Sequence, residues 1–524
     1  MGILIGIDIG TTNWKAAAFS ETGMPLHIRK TPAVTRRMEN GCCYYEPEEI
    51  WTSVCTLLRQ LMADCAGEEV LGVSVTSMSE SVVPVDRDGK TLFPVIAWFD
   101  ASAKEQAARI TDRFGEDAIF SICGLDPDPI FSLPKIMWVR DHYPDVYEKA
   151  DKWLQMMDYI CFRLCGECAT DYSMACRTLA FDLEKRSWSR ELLDAFDIPV
   201  SVMPALQKAG TLLGTVSGPV AEMTGLPSGT RVFVGGHDHP CATITAGVLA
   251  GNRIMDSSGT AESLLYISQP DAPVPKTRQG ARIGMYLDPR RYVLWGGIKA
   301  SGASADWAFD RLAFGTDWLE TAGAAAEEGL PAGHAEGQEK KRDYAKVLDA
   351  LQEIPAGAEG LIYIPHLRGS GAPSWNQNDR GAFLGLTSLH DSRHMLRAVF
   401  EGLSFQARII VEMHEQIAGT RTDGVCVAGG SARNRFWQQV KADILQRPVE
   451  LSPFGDATVQ GAALLAGIGA GLFSSVDEAS AACAGNNDIL LPDPSAADIY
   501  NRLYRRYRFA NDAACSLHRQ LSDY

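Results

Sequence analysis

Asp8, Thr11, Thr12 and Lys15 lie close together in ILIGIDIGTTNWKAAAF, residues 3–19, where they supply a carboxylate, two hydroxyls and an ammonium around Gly10. Such a set suits a phosphate group. A glycine at the bend lets main-chain N–H groups approach an anion, the threonines add donors, and an aspartate can hold magnesium through water. A buried hairpin with a polar tip has the same pattern, so other segments must decide. Gly235-Gly236-His237-Asp238-His239 places a carboxylate just past an apolar run, after two glycines that let other groups approach. Moving a phosphoryl group to an alcohol needs a carboxylate within reach of the attacking hydroxyl. A turn aspartate and a His-Asp-His metal site are the alternatives there. Cys161, Cys165 and Cys168 have the C-x3-C-x2-C spacing that radical enzymes use for an iron–sulfur cluster. The same cysteines also read as small apolar fillers of a partly buried helix.

These groups need elements to hold them. Residues 3–7 and 16–19 read as the arms of a hairpin, with Asp8 ending the first arm and residues 10–13 forming the bend. Further strand-like runs fall at 71–76, 232–236, 361–365 and 424–428, and helical periodicity at 48–64, 102–114, 134–141, 391–415 and 435–445. Strand runs alternating with helices make this an α/β chain. Ser257-Ser258-Gly259-Thr260-Ala261 is a second small-residue turn between strand-like flanks and echoes the first. A Gly-rich passage precedes it, so the main boundary is expected near residue 246, giving domains 1–246 and 247–524. Residues 322–345, rich in Ala, Gly and mixed charge, read as a solvated excursion.

At 524 residues the chain is too long for one core, and two large domains fit best. Hydrophobic residues make up 46% and charged residues 22%, the balance of a globular protein. Lys+Arg 49 against Asp+Glu 65 gives a net charge of −16, which disfavours nucleic acid and anionic membranes as partners. An anionic nucleotide would then need local help from magnesium and backbone N–H groups. No apolar run reaches the length of a bilayer span and no signal-type segment opens the chain, so a cytoplasmic location is expected. Gly6 stands where a myristoylation signal after Met1-Gly2 needs Ser or Thr. Thirteen scattered cysteines, Cys42-Cys43 among them, are expected to be reduced thiols.

Four segments in order resemble the FGGY family of carbohydrate kinases, whose fold is that of the actin-like, ribonuclease-H-like ATPases. Asp8-Ile9-Gly10-Thr11-Thr12 with Lys15 resembles its first phosphate motif, and Lys135-Ile136-Met137-Trp138 its Lys-x-x-Trp helix. Residues 381–386, His394-Met395 and Ala398-Val399-Phe400-Glu401 resemble its second signature. Gly429-Gly430-Ser431-Ala432-Arg433-Asn434, with Trp437-Gln438 and Ala442-Asp443, is similar to its adenosine-binding element.

The resemblance implies two actin-like domains flanking a catalytic cleft that closes on substrate, and ATP-dependent phosphorylation of a sugar or polyol with Mg2+. It makes Asp238 the general base and Asp8 the magnesium-linked carboxylate. Thr11, Thr12, Lys15, Gly259 and Thr260 would serve the phosphates, and Gly429, Gly430, Ser431 and Asn434 the adenosine side. Glu80, Trp98, Asp100 and His239 would face the acceptor. Two positions depart from the pattern: Ser102 replaces the arginine after the Trp-x-Asp, and His239 stands where many relatives have asparagine. A homodimer is the commonest assembly for a large enzyme. Two other classes stay open, a nucleotide-binding regulator of the same fold without turnover and a radical iron–sulfur enzyme using Cys161, Cys165 and Cys168.

Overall fold

The strand Gly2–Ile9 is buried along its whole length, which requires a layer on each of its faces. Alternation of its side chains identifies both layers. Ile3, Ile5, Ile7 and Ile9 share a core with Ile50, Trp51, Val54, Leu58 and Leu61, the apolar stripe of the helix Pro47–Asp64. Leu4, on the opposite face, packs with Val459, Ala463 and Ala466 of the helix Ala457–Ala470. Gly6 shares that second face and sets its spacing: a Cβ at Gly6 would lie 2.1 Å from the Val459 carbonyl oxygen.

The computed structural model describes residues 2–312, 344–452, 455–483 and 487–521. Gly2–Ile9 belongs to a six-stranded sheet in the order Leu212–Thr215, Arg231–His237, Glu69–Ser77, Gly2–Ile9, Asn13–Ser20, Pro25–Pro32. Glu69–Ser77 runs parallel to Gly2–Ile9 on one side and to Arg231–His237 on the other. Three strands therefore end at the same edge of the sheet, at Ile9, Ser77 and His237. In parallel sheets that carboxyl edge is where ligands bind. The expected hairpin is present with longer arms, since Gly2–Ile9 pairs antiparallel with Asn13–Ser20 and sets Asp8 opposite Lys15.

Contacts divide the chain into two compact units: Met1–Met255 with Leu265–Trp295 and Phe454–Asn487, and Asp256–Leu264 with Gly296–Pro453 and Asp488–Tyr524. A single cut near residue 246 differs from this division, because the helix Ala457–Ala470 packs on the first sheet. Domains 1–246 and 247–524 stand as a proposal about sequence modules. In the second unit Gly424–Ala428 pairs parallel with Val449–Leu451, which pairs antiparallel with Asp488–Leu490. The long helix Ser392–Ala418 is capped by Asp391, whose side chain accepts from the Arg393 and His394 N–H groups. Phe405 of that helix stacks on Tyr507 with ring centroids 5.2 Å apart. Glu401, from the second signature, accepts from Gly357 N at 2.9 Å, Arg397 Nε at 2.9 Å and the Tyr500 hydroxyl at 3.2 Å. That motif thus acts as scaffold. The excursion at 322–345 lies outside the described residues up to the start of the helix Tyr344–Gln352. Among the described residues no helix is long and apolar enough to cross a membrane.

One buried charge cluster fastens the second unit. Lys441, on the helix Arg435–Leu445, donates to Asp256 Oδ2 and, at 3.1 Å, to Glu262 Oε1, and all three side chains are fully buried. Ser301 donates to the other Glu262 oxygen at 2.5 Å. Burial and the neighbouring Glu262 push the Asp256 carboxyl up, against the pull of Lys441. The cluster holds the strands around the 259–261 turn to the helix that follows Asn434.

Gly6→Ala should cost about 1–3 kcal/mol or more, because it forces the 457–470 helix away from the sheet. Thermal melting should show a clear loss for it and none for Gly218→Ala, a position where a Cβ meets nothing within 4 Å. Lys441→Met should cost about 3–5 kcal/mol by leaving buried carboxylates without their cation. An unchanged urea midpoint in that variant would show that the triad contributes nothing to stability.

Candidate active site

Asp8 is buried and set at the carboxyl edge of the sheet, on the face that the 457–470 helix covers. Its Oδ2 accepts from the Thr458 hydroxyl at 2.7 Å and lies 3.4 Å from Lys15 Nζ, which reaches Asp456 at 3.0 Å as well. Its Oδ1 is buried with no hydrogen-bond partner. Burial pushes the Asp8 carboxyl up and outweighs the Lys15 charge and the Thr458 hydrogen bond, while the charge of Asp238 adds to the rise. Thr11 and Thr12 are exposed at the tip of the hairpin, where Gly10 N donates to Asn13 O at 3.2 Å.

Asp238 opens the helix Asp238–Thr245 directly after the strand that ends at His237. Its Oδ1 accepts from the His239 backbone N–H at 2.7 Å and lies 3.0 Å from His237 Nε2. Its side chain keeps 23% exposure, so solvent or a ligand can reach it. Burial raises its proton affinity, yet the His239 and His237 imidazoles and the hydrogen bonds from both residues prevail and hold it well below the usual carboxylate range. Burial pushes His239 down, so that imidazole stays neutral near neutral pH.

The loop leaving the middle strand carries Glu80, buried and with a positive φ of 64°. A non-glycine residue there is strained and persists because its surroundings fix it. Arg177 Nε and Nη2 lie 2.7 and 2.6 Å from Glu80 Oε1, Ser79 donates to Oε2 at 2.5 Å, and the Glu80 N–H donates to Gln155 Oε1 at 3.0 Å. Burial pushes the Glu80 carboxyl up, but Arg177, His237 and Ser79 overcome it and keep the group ionised. Lys135, the lysine of the Lys-x-x-Trp motif, is buried and donates to Glu80 O at 3.2 Å, Ala97 O at 2.9 Å and Trp98 O at 3.2 Å. It therefore ties the Glu80 loop to the turn bearing Trp98 and Asp100. Burial lowers its ammonium to about 7. Trp98 keeps a free face, 36% exposed, whereas both Asp100 oxygens are taken by the N–H groups of Cys43 and Ser102 at 2.7 and 2.8 Å.

The remaining expected residues lie in the second unit. Gly259 and Thr260 form an exposed turn whose carbonyls accept from Gly302 N at 3.0 Å and Ala303 N at 3.1 Å, the start of the helix Gly302–Leu312. Gly429 has φ 104°, and a Cβ on it would stand 2.5 Å from Ser258 O, so only glycine lets the 429–434 loop meet the strand leading to that turn. Gly430 beside it is open. Asn434 caps the 435–445 helix, its Oδ1 accepting from Trp437 N at 3.0 Å, and Gln438 Nε2 donates to Ser431 O at 3.0 Å.

Sequence reasoning brought Asp8, Lys15, Glu80, Asp238 and His239 to the first unit's site and missed Ser79, Arg177, His237 as a partner of Asp238, and Thr458. Arg177 and Thr458 are remote in sequence from the groups they hold, so no local spacing points to them. Cys161 and Cys165 sit a turn apart on the helix Met156–Cys165, with Cys165 Sγ donating to Cys161 O at 3.2 Å. Burial raises all three thiols, Cys168 to about 12. No group of three or more side chains able to hold a metal ion occurs among the described residues, so neither the iron–sulfur reading nor the His-Asp-His metal reading gains support.

The sequence matches the N-terminal domain of the FGGY family of carbohydrate kinases over residues 3–245 and its C-terminal domain over residues 255–470. It is 27% identical over 515 residues to the xylulose kinase of Bacillus subtilis, covering 97% of this chain and 96% of that one. A gluconokinase of the same organism is 27% identical over 488 residues, 91% of this chain and 89% of its own. The crystal structure of xylulose kinase from Rhodospirillum rubrum superposes with a TM-score of 0.85 at 26% identity, over 99% of this chain and all of that one. The fold is thus α/β, of the actin-like, ribonuclease-H-like ATPase class, and the chain belongs to the FGGY family of carbohydrate kinases.

Proposed function

We propose that the protein transfers the terminal phosphoryl group of ATP to a hydroxyl of a sugar or polyol, with Asp238 as general base. What carries this reading is that Asp8 and Asp238 emerge at one edge of a single sheet, where its three parallel strands end, close enough for the charge of Asp238 to raise the proton affinity of Asp8. Phosphoryl transfer asks mainly for positioning and charge stabilisation. Asp238 is ionised at neutral pH, so it can accept the proton of the attacking hydroxyl as the new bond forms. A weak base suffices where that proton leaves late.

Asp8 Oδ1, buried without a partner, is an oxygen that a cation or its water would satisfy. Magnesium bound with ATP fits there, and supplies neutralisation of charge on the β- and γ-phosphates. Thr458 and Lys15 fix the other oxygen and keep the carboxylate aimed. Thr11, Thr12 and Lys15, with Gly259 and Thr260, serve the phosphates; Gly429, Gly430, Ser431 and Asn434 line the adenosine side. Glu80, Trp98, Asp100 and His239 form the acceptor side, with Asp100 acting through the backbone it orders. Relatives named for xylulose and gluconate point to a ketose, an aldonate or a related polyol as acceptor. ADP release measured across D-xylulose, D-gluconate and glycerol selects among them. As a consumer of ATP and free sugar the enzyme would work in the cytoplasm, and a homodimer is its expected assembly.

Asp238→Asn should lower kcat by about 10² to 10⁴ while ATP binding persists. Sugar-dependent ADP formation at the parental rate in that variant would sink the assignment. Asp8→Asn should raise the magnesium concentration needed for half-maximal activity by about tenfold or more, with the melting temperature retained. An unchanged magnesium dependence would remove Asp8 from the metal role.

A further inference from the structure

We propose that His237 is the positioning residue of the Asp238 base, with its Nε2–H shared between Asp238 and Ser79, so that the base and the buried Glu80 are held as one hydrogen-bonded unit. This rests on the reading of Asp238 as base.

The direction of each hydrogen bond follows from what each group can donate. Glu80, paired with Arg177, is an ionised carboxylate and only accepts. The Ser79 hydroxyl oxygen lies 2.5 Å from Glu80 Oε2, so its proton points to Glu80. Ser79 is left with lone pairs toward His237 Nε2, which is 3.1 Å away. The same nitrogen stands 3.0 Å from Asp238 Oδ1. Two acceptors face one ring nitrogen, so that nitrogen carries the proton. Nδ1 on the far side is buried with no partner, where a second proton would be a costly unsatisfied donor. The hydrogen between the two acceptors is thus carried by Nε2.

The ring has its own supports. The His237 backbone N–H donates to Ser173 Oγ at 3.0 Å, Ser173 donates to Asp171 Oδ1 at 3.0 Å, and the imidazole lies 5.8 Å from the Trp295 ring. Oδ1 of Asp238 then receives two donors, His237 Nε2–H and the His239 N–H at 2.7 Å. The free direction is that of Oδ2, the oxygen left for an acceptor hydroxyl. The charged or titratable groups facing Asp238 are His237 and His239 beside it, Asp8 two strands across the sheet and Cys241 one turn on. Glu80, Arg177 and Asp171 lie behind the two imidazoles. A donor to the ionised carboxylate favours that form, so its removal moves the titration of Asp238 to higher pH.

Three variants test this. His237→Gln keeps an N–H near the place of Nε2, His237→Leu removes it, and Asp238→Asn identifies the Asp238 carboxyl resonance by its loss. In His237→Leu the carbon-13 titration of Asp238 should rise by about one pH unit, while His237→Gln stays near the parent. With ATP and whichever of D-xylulose, D-gluconate and glycerol supports ADP release, His237→Leu should lose at least about tenfold in kcat at neutral pH. Its KM for ATP should stay within about twofold. The acid limb of its kcat/KM profile should shift upward. An unmoved Asp238 titration in a folded His237→Leu protein overturns the proposal, as does a His237→Gln protein that behaves like His237→Leu. If Asp238→Asn turns over at the parental rate, the base reading falls and this inference with it. An inactive Asp238→Asn beside an unmoved His237→Leu titration removes the inference alone.

Discussion

Two carboxylates brought to one edge of a sheet repel each other, and the groups around each decide how it responds. Asp8 and Asp238 meet the repulsion in opposite ways. Asp8 is buried, and its proton affinity rises despite the pull of Lys15. Asp238 is held far down by the imidazoles on either side of it. Environments that push neighbouring acids apart are how one site gives two carboxylates different tasks. On the proposed reading, a cation on the Asp8 side would relieve the repulsion, leaving Asp238 as the proton acceptor.

This arrangement depends on backbone spacing. Asp8 is aimed by Thr458, and Thr458 can reach it only because the 457–470 helix lies against Gly6 at a distance no side chain would permit. A sequence module far from the amino terminus thereby completes the surroundings of Asp8 and Lys15. It also explains why the compact units do not follow a single cut of the chain: the helix Ala457–Ala470, rich in Ala and Gly, is shaped to fit the sheet face carrying Leu4 and Gly6.

What the sequence made legible was local. The hairpin around Gly10, the strand entering Gly235-Gly236 and the helix from Arg435 to Leu445 each carry their pattern within a few turns or strand repeats, and each occurs where its pattern puts it. The candidate residues with motif spacing stand out for the same reason. What stayed hidden was mutual: Arg177 on Glu80, Thr458 on Asp8, and His237 between Ser79 and Asp238 join residues whose separation in sequence is set by the fold. Asp100 shows the converse. Its place in a Trp-x-Asp motif suggests direct contact with substrate, but both its oxygens are spent on backbone N–H groups. Its effect on a ligand must pass through the turn it shapes.

The Glu80 loop illustrates why such hidden partners matter. Glu80 occupies a backbone conformation that resists a side chain bearing Cβ, so the loop would relax if left to itself. Three restraints oppose that relaxation: the Lys135 ammonium on its carbonyl, Gln155 on its N–H, and Arg177 with Ser79 on its carboxylate. Buried charges removed from water need close partners, and a carboxylate between a guanidinium and a hydroxyl meets that need. Lys135 meets it with three carbonyl dipoles and no carboxylate in contact, which is why burial brings its ammonium down to about 7. The charge that fastens the Glu80 loop to the Trp98 turn is therefore a conditional one, present in full only on the acid side of neutrality. The pairing of Glu80 with Arg177 carries no such condition, and it is the pairing that keeps the loop shaped when the lysine loses its proton.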